Sequence, residues 1–522
     1  MADLTPTLTA ASARNAALRP DEVAVHCEDR AVTFGQLHRR SNRTAHALLA
    51  AGLRPGARVA FLGKESEFYY EIALACAKAG TVLVPINWRL TAREVDHILR
   101  DSGAELLFVE GEYAPAVERI RGELTRLRDV LRLDGAGSLG GGLAAWRDGH
   151  PDTDLDPGTG TDDPVVQLYT SGTTGLPKGA VLAHRSFFTY TAAAGDQIGE
   201  WIDWRPGDVS LISLPGFHIA GFAWFMHGFV AGVPNVVMRM FVGQEAVRLI
   251  ARHGVTVTYL APAMLQMMLA EPGVGPETFR SLRKVTYGAA PMPESLLKQC
   301  IEVIGCDFAQ IYASTETGTV AVCLQPRDHV VGSPRLRSVG RVCPGNEVKI
   351  VDRDGRTLPP GEIGQVCIRT PARMLGYWNL PEATAKTLVG EWLHMGDAGY
   401  LDADGYLYLG DRINDTIIVA AQNIYPAEVE KALADHPAVA EAAVVGVPDE
   451  RWGEAVHAVV VRRPGRSVTP RELMLFLKGR IADFKIPSGY TFTDQLPRNP
   501  SGKILRREVR EALAAQRAPA AV

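Results

Sequence analysis

Short runs of β-branched and other apolar residues recur along the chain and predict strands buried on both faces. Helical stretches such as 69–79 and 90–100 lie between these runs. Strands that alternate with helices indicate parallel sheets covered by helices, so we expect an α/β fold. No fixed-period repeat is present, which argues against a solenoid or a propeller. The clearest strand candidates are 59–62, 80–85, 106–109 and 257–260.

The pattern changes near Gly410, where a β-rich stretch ends and a compact α+β pattern begins. The chain has 522 residues, whereas one hydrophobic core usually serves about 150 residues. We therefore predict a large N-terminal domain over 1–411 and a small C-terminal domain over 412–522.

One segment, 209–238, contains no Asp, Glu, Lys or Arg and is long enough to cross about 30 Å of hydrocarbon. Proline, glycine, histidine and asparagine interrupt it, and such residues are unfavourable in a lipid-facing helix. We therefore expect a buried strand, a turn and a buried helix, and no membrane span. The interrupting residues are Pro215, Gly216, His218, His227, Pro234 and Asn235.

Composition narrows the functional classes. The hydrophobic fraction is 46% and the charged fraction 22%, as is usual for soluble globular proteins. The net charge of −4 supplies no positive field for nucleic acid, so we expect a small-molecule substrate. The seven cysteines are scattered without a C-x-x-C pair, and the N-terminus lacks a signal-peptide pattern. Both features predict a cytoplasmic protein with reduced cysteines.

A glycine-rich piece from Gly135 to Gly140 formally matches the G-x-G-x-x-G fingerprint of dinucleotide-binding folds. Further glycines follow where a helix should begin. We therefore interpret the piece as a surface connection rather than a nucleotide site.

The strongest chemical signal is the segment 170–179, Thr-Ser-Gly-Thr-Thr-Gly-Leu-Pro-Lys-Gly, which follows a predicted strand. Its glycines allow backbone N–H groups to point inward, while its hydroxyls and Lys178 add further donors. These properties predict a phosphate-binding loop. Pro177 precedes the lysine and the G-K-[ST] ending is missing, so the segment is not a Walker A loop.

Further motifs follow this loop in order, and together they resemble the signatures of the adenylate-forming superfamily, which includes acyl-CoA synthetases, aryl-CoA ligases, luciferases and adenylation domains. The resemblance covers roughly residues 21–507. It is carried by Gly288-Ala-Ala-Pro, Gln310-Ile-Tyr-Ala-Ser-Thr-Glu, Trp392-Leu-His-Met-Gly-Asp, Gly410-Asp-Arg and Pro497-Arg-Asn-Pro-Ser-Gly-Lys503.

The resemblance implies a fold and a reaction. The fold would be a large domain of parallel and mixed sheets with a β-barrel-like subdomain, followed by a small mobile α+β domain with a hinge near Asn414. The reaction would be attack of a carboxylate on the α-phosphorus of ATP, with Mg²⁺ bound and pyrophosphate expelled. A carboxylate needs no general base, so positioning and charge neutralisation would supply the catalysis.

By resemblance, specific residues take specific roles. The loop would bind the β- and γ-phosphates, Glu316 beside Thr315 would bind Mg²⁺, and Lys503 would be the catalytic lysine. Asp397 would accept hydrogen bonds from the ribose, and Arg412 would add a donor nearby. His218 would border the tunnel for the acid and the thiol. The loop ligands would be Thr170, Ser171, Gly172, Thr173, Thr174, Gly175 and Lys178, and the adenine would be lined by Gly288, Ala289, Ala290, Gln310 and Tyr312.

The sequence leaves the identity of the acyl acceptor open. Relatives usually pass the adenylate to the pantetheine thiol of coenzyme A, which is the favoured acceptor. Here Asn414 replaces a charged hinge residue, and Ala420 and Ala421 replace two glycines. In relatives the second of these glycines lets the pantetheine arm pass close to the backbone, so a methyl group there could narrow that path. An acyl-carrier protein or another non-CoA acceptor is the alternative.

One other class of protein fits less well. A non-catalytic relative would be expected to lack Lys503, Glu316 or the loop hydroxyls, and all of these are present. Smaller departures from the family pattern are Met395, Gly216 and Ala313.

Overall fold

The computed structural model describes residues 6–135, 139–155, 158–170, 177–188, 200–290, 292–412, 415, 417–419, 422–424, 426–449, 453–481, 483–498 and 504–517. These residues form two compact units. The first comprises 1–348 and 368–394, and the second comprises 349–367 and 395–522. The domain boundary after residue 411 stays a prediction, because compactness alone does not locate a hinge.

The helices begin and end where local chemistry favours it. Thr91 caps the fourth helix and forms a capping box with Glu94, and the helix ends at Gly103, whose φ of 64° suits glycine. The described helices are α1 (Leu8–Leu18), α2 (Phe34–Ala50), α3 (Glu67–Ala79), α4 (Ala92–Ser102), α5 (Ala114–Ile120), α6 (Gly141–Arg147), α7 (Ile219–Ala231), α8 (Gly243–His253), α9 (Pro262–Leu269), α10 (Glu294–Ile304), α11 (Pro381–Thr387), α12 (Pro426–Ala434), α13 (Pro470–Leu477) and α14 (Arg506–Arg517).

The strands are mostly short, and several of those in the centres of the sheets are buried along their whole length. Every residue of β4, β11 and β12 is buried, as expected for parallel strands covered on both faces. The strands up to residue 342 are β1 (Val23–Cys27), β2 (Arg30–Thr33), β3 (Arg58–Leu62), β4 (Val82–Ile86), β5 (Leu106–Val109), β6 (Asp129–Arg132), β7 (Pro164–Thr170), β8 (Lys178–Ala183), β9 (Ser210–Ile212), β10 (Asn235–Val237), β11 (Val257–Leu260), β12 (Lys284–Gly288), β13 (Asp307–Tyr312), β14 (Val322–Leu324) and β15 (Gly340–Val342).

The remaining strands follow in chain order. They are β16 (Glu347–Val351), β17 (Gly364–Arg369), β18 (Gly376–Tyr377), β19 (Leu388–Val389), β20 (Trp392–Leu401), β21 (Tyr406–Arg412), β22 (Ile417–Val419), β23 (Gln422–Ile424), β24 (Val439–Asp449), β25 (Gly453–Arg462) and β26 (Gly489–Thr493).

The first unit contains two sheets. One has the order β18-β8-β7-β4-β3-β5-β6, in which the strands from β7 to β6 run parallel. The other includes β13-β12-β11-β9-β10-β1 as a parallel core, with antiparallel strands at its flanks. Both sheets confirm the α/β prediction, and the four strand candidates named from the sequence are β3, β4, β5 and β11.

The uncharged segment 209–238 folds as predicted. It forms β9, a turn, the helix α7 and β10, and ten of the thirteen residues of α7 are buried. Within the described ranges, no helix is both long and apolar enough to cross a bilayer.

The predicted β-barrel-like subdomain is not a closed barrel. The strands β16, β17, β20 and β21 lie side by side in that order. As far as the structure describes the chain, β16 has a strand partner on one side only, so the sheet keeps an open edge. Closure of a barrel would need both edges to pair.

The C-terminal part of the second unit has its own sheet of β22 to β26. Neighbouring residues of β24 point to opposite faces, as the pleat requires. Val444 packs with α12 and α13 on one face, and Val445 packs with α14 on the other. This layout is the α+β pattern that the sequence predicted for the C-terminal region.

Two minor predictions have mixed outcomes. All seven cysteines are free thiols, as expected, and only Cys306 is not fully buried. A helix does begin after the glycine-rich piece, at Gly141, which the sequence interpretation did not expect. Gly140 precedes it with φ of 87°, and a side chain there would collide with the ring of Phe68. That helix has only seven residues.

Candidate active site

Several predicted site residues lie at one edge of the larger sheet. Gly288 ends β12 and Tyr312 ends β13, while His218 follows β9. These strands belong to one parallel array in the order β13-β12-β11-β9. Because parallel strands share the edge at which their carboxyl ends meet, loops that are far apart in sequence converge there. Open α/β sheets bind their ligands at this edge.

The phosphate-loop residues flank an antiparallel hairpin in the smaller sheet. Thr170 ends β7, Lys178 begins β8, and the two residues are directly opposed in the ladder. The loop between them is therefore closed at its base. Its central residues Ser171, Gly172, Thr173, Thr174 and Gly175 lie outside the described residues.

The loop that carries Glu316 is fixed from within by Thr317, which is fully buried. The Thr317 hydroxyl donates to the carbonyl oxygens of Ser314 and Thr319, each at 2.8 Å. The backbone N–H of Gly318 donates to the carbonyl of Thr315 at 3.1 Å, which closes a turn. Thr315 and Glu316 therefore occupy a preorganised turn and are half-buried.

Glu316 and Lys178 come together at Tyr377. The Tyr377 hydroxyl donates to Oε1 of Glu316 at 2.5 Å. The Lys178 ammonium lies 5.3 Å from the centroid of the Tyr377 ring. An aromatic ring can attract a cation at that distance. The cation of the phosphate loop and the predicted metal carboxylate are thus joined through one side chain.

His218 stands at the start of α7, just beyond the end of β9. Burial, together with the positive charge of Arg89, lowers its pKa to about 4, so the imidazole is neutral at pH 7. Its Nε2 is buried and has no hydrogen-bond partner within the described part of the chain. A buried polar atom without a partner is rare, and it is a reason to expect a ligand.

The loop before His218 is held by two buried side chains of the α3 region. Gly216 donates its N–H to Oε1 of Glu65 at 2.7 Å and accepts at its carbonyl from the Tyr69 hydroxyl at 2.9 Å. A Cβ at position 216 would lie 2.5 Å from the Tyr69 ring. This contact explains why glycine stands where a larger residue is usual. Nothing in the structure explains Met395 or Ala313.

The aromatic residues of α7 mostly pack the core. Phe225 stacks on Tyr70 with ring centroids 3.4 Å apart, and Phe222 lies edge-on to Phe187 at 5.3 Å. Both phenylalanines are fully buried. They therefore provide packing, and their presence does not define the substrate.

The residues predicted to line the adenine occupy the ends of β12 and β13. A side chain on Gly288 would collide with the carbonyl oxygen of Ile311, so the two strands approach closely there. Ala289 has φ of 65°, a left-handed conformation that is costly for alanine, and Ala290 follows it. Gln310 is nearly buried and accepts from the Tyr287 hydroxyl at 3.4 Å.

Asp397 and Arg412 belong to the second unit. They are directly opposed in the antiparallel pair of β20 and β21, with an irregularity of register beside Asp397. The backbone therefore places Arg412 opposite Asp397, and their roles at the ribose remain predictions. Such irregularities are common next to binding sites.

Other predicted residues fall outside the description. The catalytic lysine, Lys503, is among them, as are Asn414, Ala420 and Ala421. Their proposed roles remain predictions.

The side chains present fit one magnesium ion bound together with phosphate. Within the described ranges, no group of three or more His, Cys, Asp or Glu side chains could form an all-protein metal site. Mg²⁺ prefers hard oxygen ligands and is often held by one or two carboxylates plus substrate phosphates. Glu316 and the Thr315 hydroxyl supply such oxygens, and Tyr377 occupies only Oε1 of the carboxylate.

Sequence reasoning missed Tyr377, Glu65 and Tyr69. Tyr377 lies 61 positions from Glu316, and Glu65 lies 151 positions from Gly216. No local pattern marks such pairs, because only the packing of separate elements brings them together. The one available hint was the unusual glycine at 216.

The chain is similar to known proteins along nearly its whole length. Residues 12–378 match the AMP-binding enzyme family, and residues 428–503 match the AMP-binding enzyme C-terminal domain. The chain is 55% identical over 506 residues to the fatty acid–[acyl-carrier-protein] ligase ScoC of Streptomyces coeruleorubidus, covering 97% of this chain and 96% of ScoC. It is 37% identical over 499 residues to a feruloyl-CoA synthase of an Amycolatopsis species, covering 95% of this chain and 97% of that protein.

A solved structure is similar over nearly the whole length. It is o-succinylbenzoate CoA synthetase (MenE) from Bacillus subtilis in complex with the acyl-adenylate intermediate OSB-AMP. The TM-score is 0.83 at 32% identity, covering 96% of this chain and 97% of that one. The chain therefore belongs to the AMP-binding enzyme family and is an AMP-forming acyl ligase.

Proposed function

We propose that this enzyme activates a fatty acid as its acyl-adenylate and then transfers the acyl group to the pantetheine thiol of an acyl-carrier protein. The adenylation half is supported by the convergence of Lys178, Tyr377 and Glu316 at one place. The choice of acid and acceptor is carried by one observation, the 55% identity to ScoC along 97% of the chain.

In the first step, a carboxylate oxygen attacks the α-phosphorus of ATP. A bond forms between that oxygen and the phosphorus, and the bond from the α-phosphorus to the bridging oxygen of pyrophosphate breaks. Negative charge develops on the departing pyrophosphate, so fixed cations and N–H donors lower the barrier. Lys178 at the base of the phosphate loop and Lys503 would provide the cations.

Magnesium would be held by Glu316 with the help of Thr315, and it neutralises phosphate charge when it is bound. Asp397 would accept hydrogen bonds from the ribose hydroxyls, with Arg412 opposite it in the ladder. Neutral His218 would face the bound acid, since its buried Nε2 lacks a protein partner among the residues described.

The adenylation step is tested by exchange of labelled pyrophosphate into ATP with purified protein and a panel of acids. The panel contains straight-chain acids of increasing length and a cinnamic-type aryl acid. We expect exchange that requires an added acid and is strongest with a straight-chain acid. Exchange without any acid, or with none of the acids, would contradict the proposal.

A second candidate acceptor is coenzyme A, because the feruloyl-CoA synthase is similar over 95% of this chain. The two acceptors are separated by supplying the enzyme, ATP and the preferred acid with coenzyme A, a holo acyl-carrier protein or the apo form of the same carrier. We expect thioester on the holo carrier and none on the apo carrier, which lacks the thiol. If thioester forms with coenzyme A and not with the holo carrier protein, coenzyme A is the acceptor and the carrier-protein proposal is wrong.

A further inference from the structure

A short segment, residues 374–378, ties the phosphate-loop hairpin to the Glu316 turn, and we call it the strap. Backbone hydrogen bonds hold the strap at both of its ends. Met374 donates its N–H to the carbonyl of Glu316 at 2.9 Å, and Trp378 donates to the carbonyl of Gly179 at 2.8 Å. Between them, Tyr377 is opposed to Ala180 in the pairing of β18 with β8. The strap therefore joins the two sheets of the first unit.

Further contacts anchor the strap on its outer side. The Trp378 indole N–H donates to the carbonyl of Asp101 at 3.0 Å, and the Arg58 guanidinium lies 3.4 Å from the indole centroid. The Tyr377 N–H donates to the Thr384 hydroxyl at 2.9 Å. With its backbone bonded on several sides, the strap holds the Tyr377 ring in place.

The side chain of Tyr377 then acts on two charged groups together. Its hydroxyl lies 2.5 Å from Oε1 of Glu316, and its ring lies 5.3 Å from the Lys178 ammonium. The hydroxyl donates to Oε1 and uses one of its two lone pairs, so Oε2 is the carboxylate oxygen better placed for a further ligand. Partners of this kind orient a metal-binding carboxylate and limit its rotation.

We propose that Tyr377 is a positioning residue that presents Oε2 of Glu316 to the magnesium of Mg·ATP and keeps Lys178 beside it. This inference rests on the proposed function, because it assumes that Glu316 binds the metal. Loss of such an outer partner typically weakens metal affinity about 10–100-fold.

The direct test measures metal binding without turnover. Mn²⁺ is titrated into the protein and α,β-methylene ATP, whose α,β bridge cannot be cleaved to adenylate an acid, and free Mn²⁺ is followed by electron paramagnetic resonance. We expect Tyr377→Phe to weaken Mn²⁺ binding about 10–100-fold. Tyr490→Phe is the matched control, since the Tyr490 hydroxyl has no hydrogen-bond partner within the described chain, and its affinity should equal that of wild type.

A kinetic test separates the hydroxyl from the ring. In acid-dependent exchange, Tyr377→Phe should need more Mg²⁺ for half-maximal rate and should recover at high Mg²⁺. Tyr377→Leu also removes the ring beside Lys178, so it should raise the KM for ATP as well. A merely structural role would lower thermal stability and leave the Mg²⁺ dependence unchanged.

The outcomes distinguish the two proposals. If wild type exchanges pyrophosphate and Tyr377→Phe keeps the wild-type Mn²⁺ affinity, the inference is overturned and the proposed function stands. If wild type neither exchanges pyrophosphate nor binds Mn²⁺ with the analogue, the proposed function fails and the inference fails with it.

Discussion

Individual residues near the site are held in conformations or charge states that cost stability. Ala289 adopts φ of 65°, and Glu65 is a fully buried carboxyl group. Backbone strain and buried charge persist only where many surrounding contacts hold the residue in place, and they tend to cluster at functional sites. Both residues lie beside loops that the proposed reaction would use.

Glu65 should make stability depend on pH. Burial raises its pKa to about 7, although the Gly216 N–H, the Tyr70 hydroxyl and Arg239 oppose that rise and Glu110 adds to it. Between pH 4.5, the usual pKa, and about 7, the folded protein binds more protons than the unfolded chain. The free energy of unfolding therefore falls as pH rises through this window.

Glu65→Gln removes that titration and keeps an oxygen that can accept from Gly216. We expect its thermal midpoint, relative to wild type, to be higher near pH 8 than near pH 5. Glu118→Gln changes the same group at an exposed position and serves as control. Equal pH dependence in wild type and Glu65→Gln would contradict the assignment.

Ala289→Gly should stabilise the protein. The left-handed conformation costs alanine about 1–2 kcal/mol, and glycine avoids this cost. The greater freedom of glycine in the unfolded state offsets about 0.5–1 kcal/mol of that stabilisation. The net gain should be about 0.5–1 kcal/mol, measured by urea unfolding. Ala290→Gly is the control, because its φ is not positive and it should be destabilised instead.

Lys503→Ala should abolish acid-dependent release of pyrophosphate, because it removes one of the two lysine cations proposed to neutralise the charge that develops on the phosphates. Lys478→Ala, an exposed lysine of the same unit, should release pyrophosphate at the wild-type rate. A coupled pyrophosphate assay measures both. Near wild-type release by Lys503→Ala would remove this residue from the proposed mechanism.

At the scale of elements, α14 is attached to the C-terminal sheet by charge as well as by apolar packing. Nη2 of Arg506 lies 2.9 Å and 2.7 Å from the two carboxylate oxygens of Glu430. Glu430 also accepts from the Val444 N–H at 2.7 Å, and Arg510 donates to Asp415 at 3.1 Å. The helix that follows Lys503 is thereby fixed to α12 and β24.

Arg506→Ala should lower the free energy of unfolding by about 2 kcal/mol, because it leaves the half-buried Glu430 carboxylate with an unmatched charge. Arg507 forms an exposed pair with Glu511 at 3.1 Å. Exposed pairs contribute about 0–1 kcal/mol, so Arg507→Ala is the matched control. Urea unfolding followed by circular dichroism measures both, and equal losses would contradict the role of Arg506.

At the scale of the whole molecule, the cysteines are distributed through the packed interior. Burial raises the pKa of Cys27, Cys76, Cys300, Cys306 and Cys343 to about 12. The thiolate is the reactive form, so these thiols should be inert in the native state. We expect no more than about one thiol to react with a disulfide reagent in native protein.

In concentrated guanidinium chloride, all seven should react. Activity should also be insensitive to added reductant. Rapid labelling of several native thiols, or loss of activity on labelling, would show that the interior is more accessible than its packing indicates.

The sequence by itself was enough for the α/β class, because apolar runs and the helical stretches between them are local properties of the chain. The buried strand, turn and helix within 209–238 were predicted for the same reason. The phosphate loop and the order of motifs also identified the family before any coordinates. Closure of the barrel-like subdomain is not a local property, because it depends on which sheet edges pair. In the structure, β16 keeps an open edge.

Only the tertiary structure decided which side chains meet. The contact of Tyr377 with Glu316 and the clamp of Glu65 and Tyr69 on Gly216 join residues 61 to 151 positions apart. The neutral state of His218 likewise follows from burial, which no local pattern reports. Local sequence specifies conformations and candidate chemistry, whereas distances between elements follow from the packing of sheets, and the active site is defined by those distances.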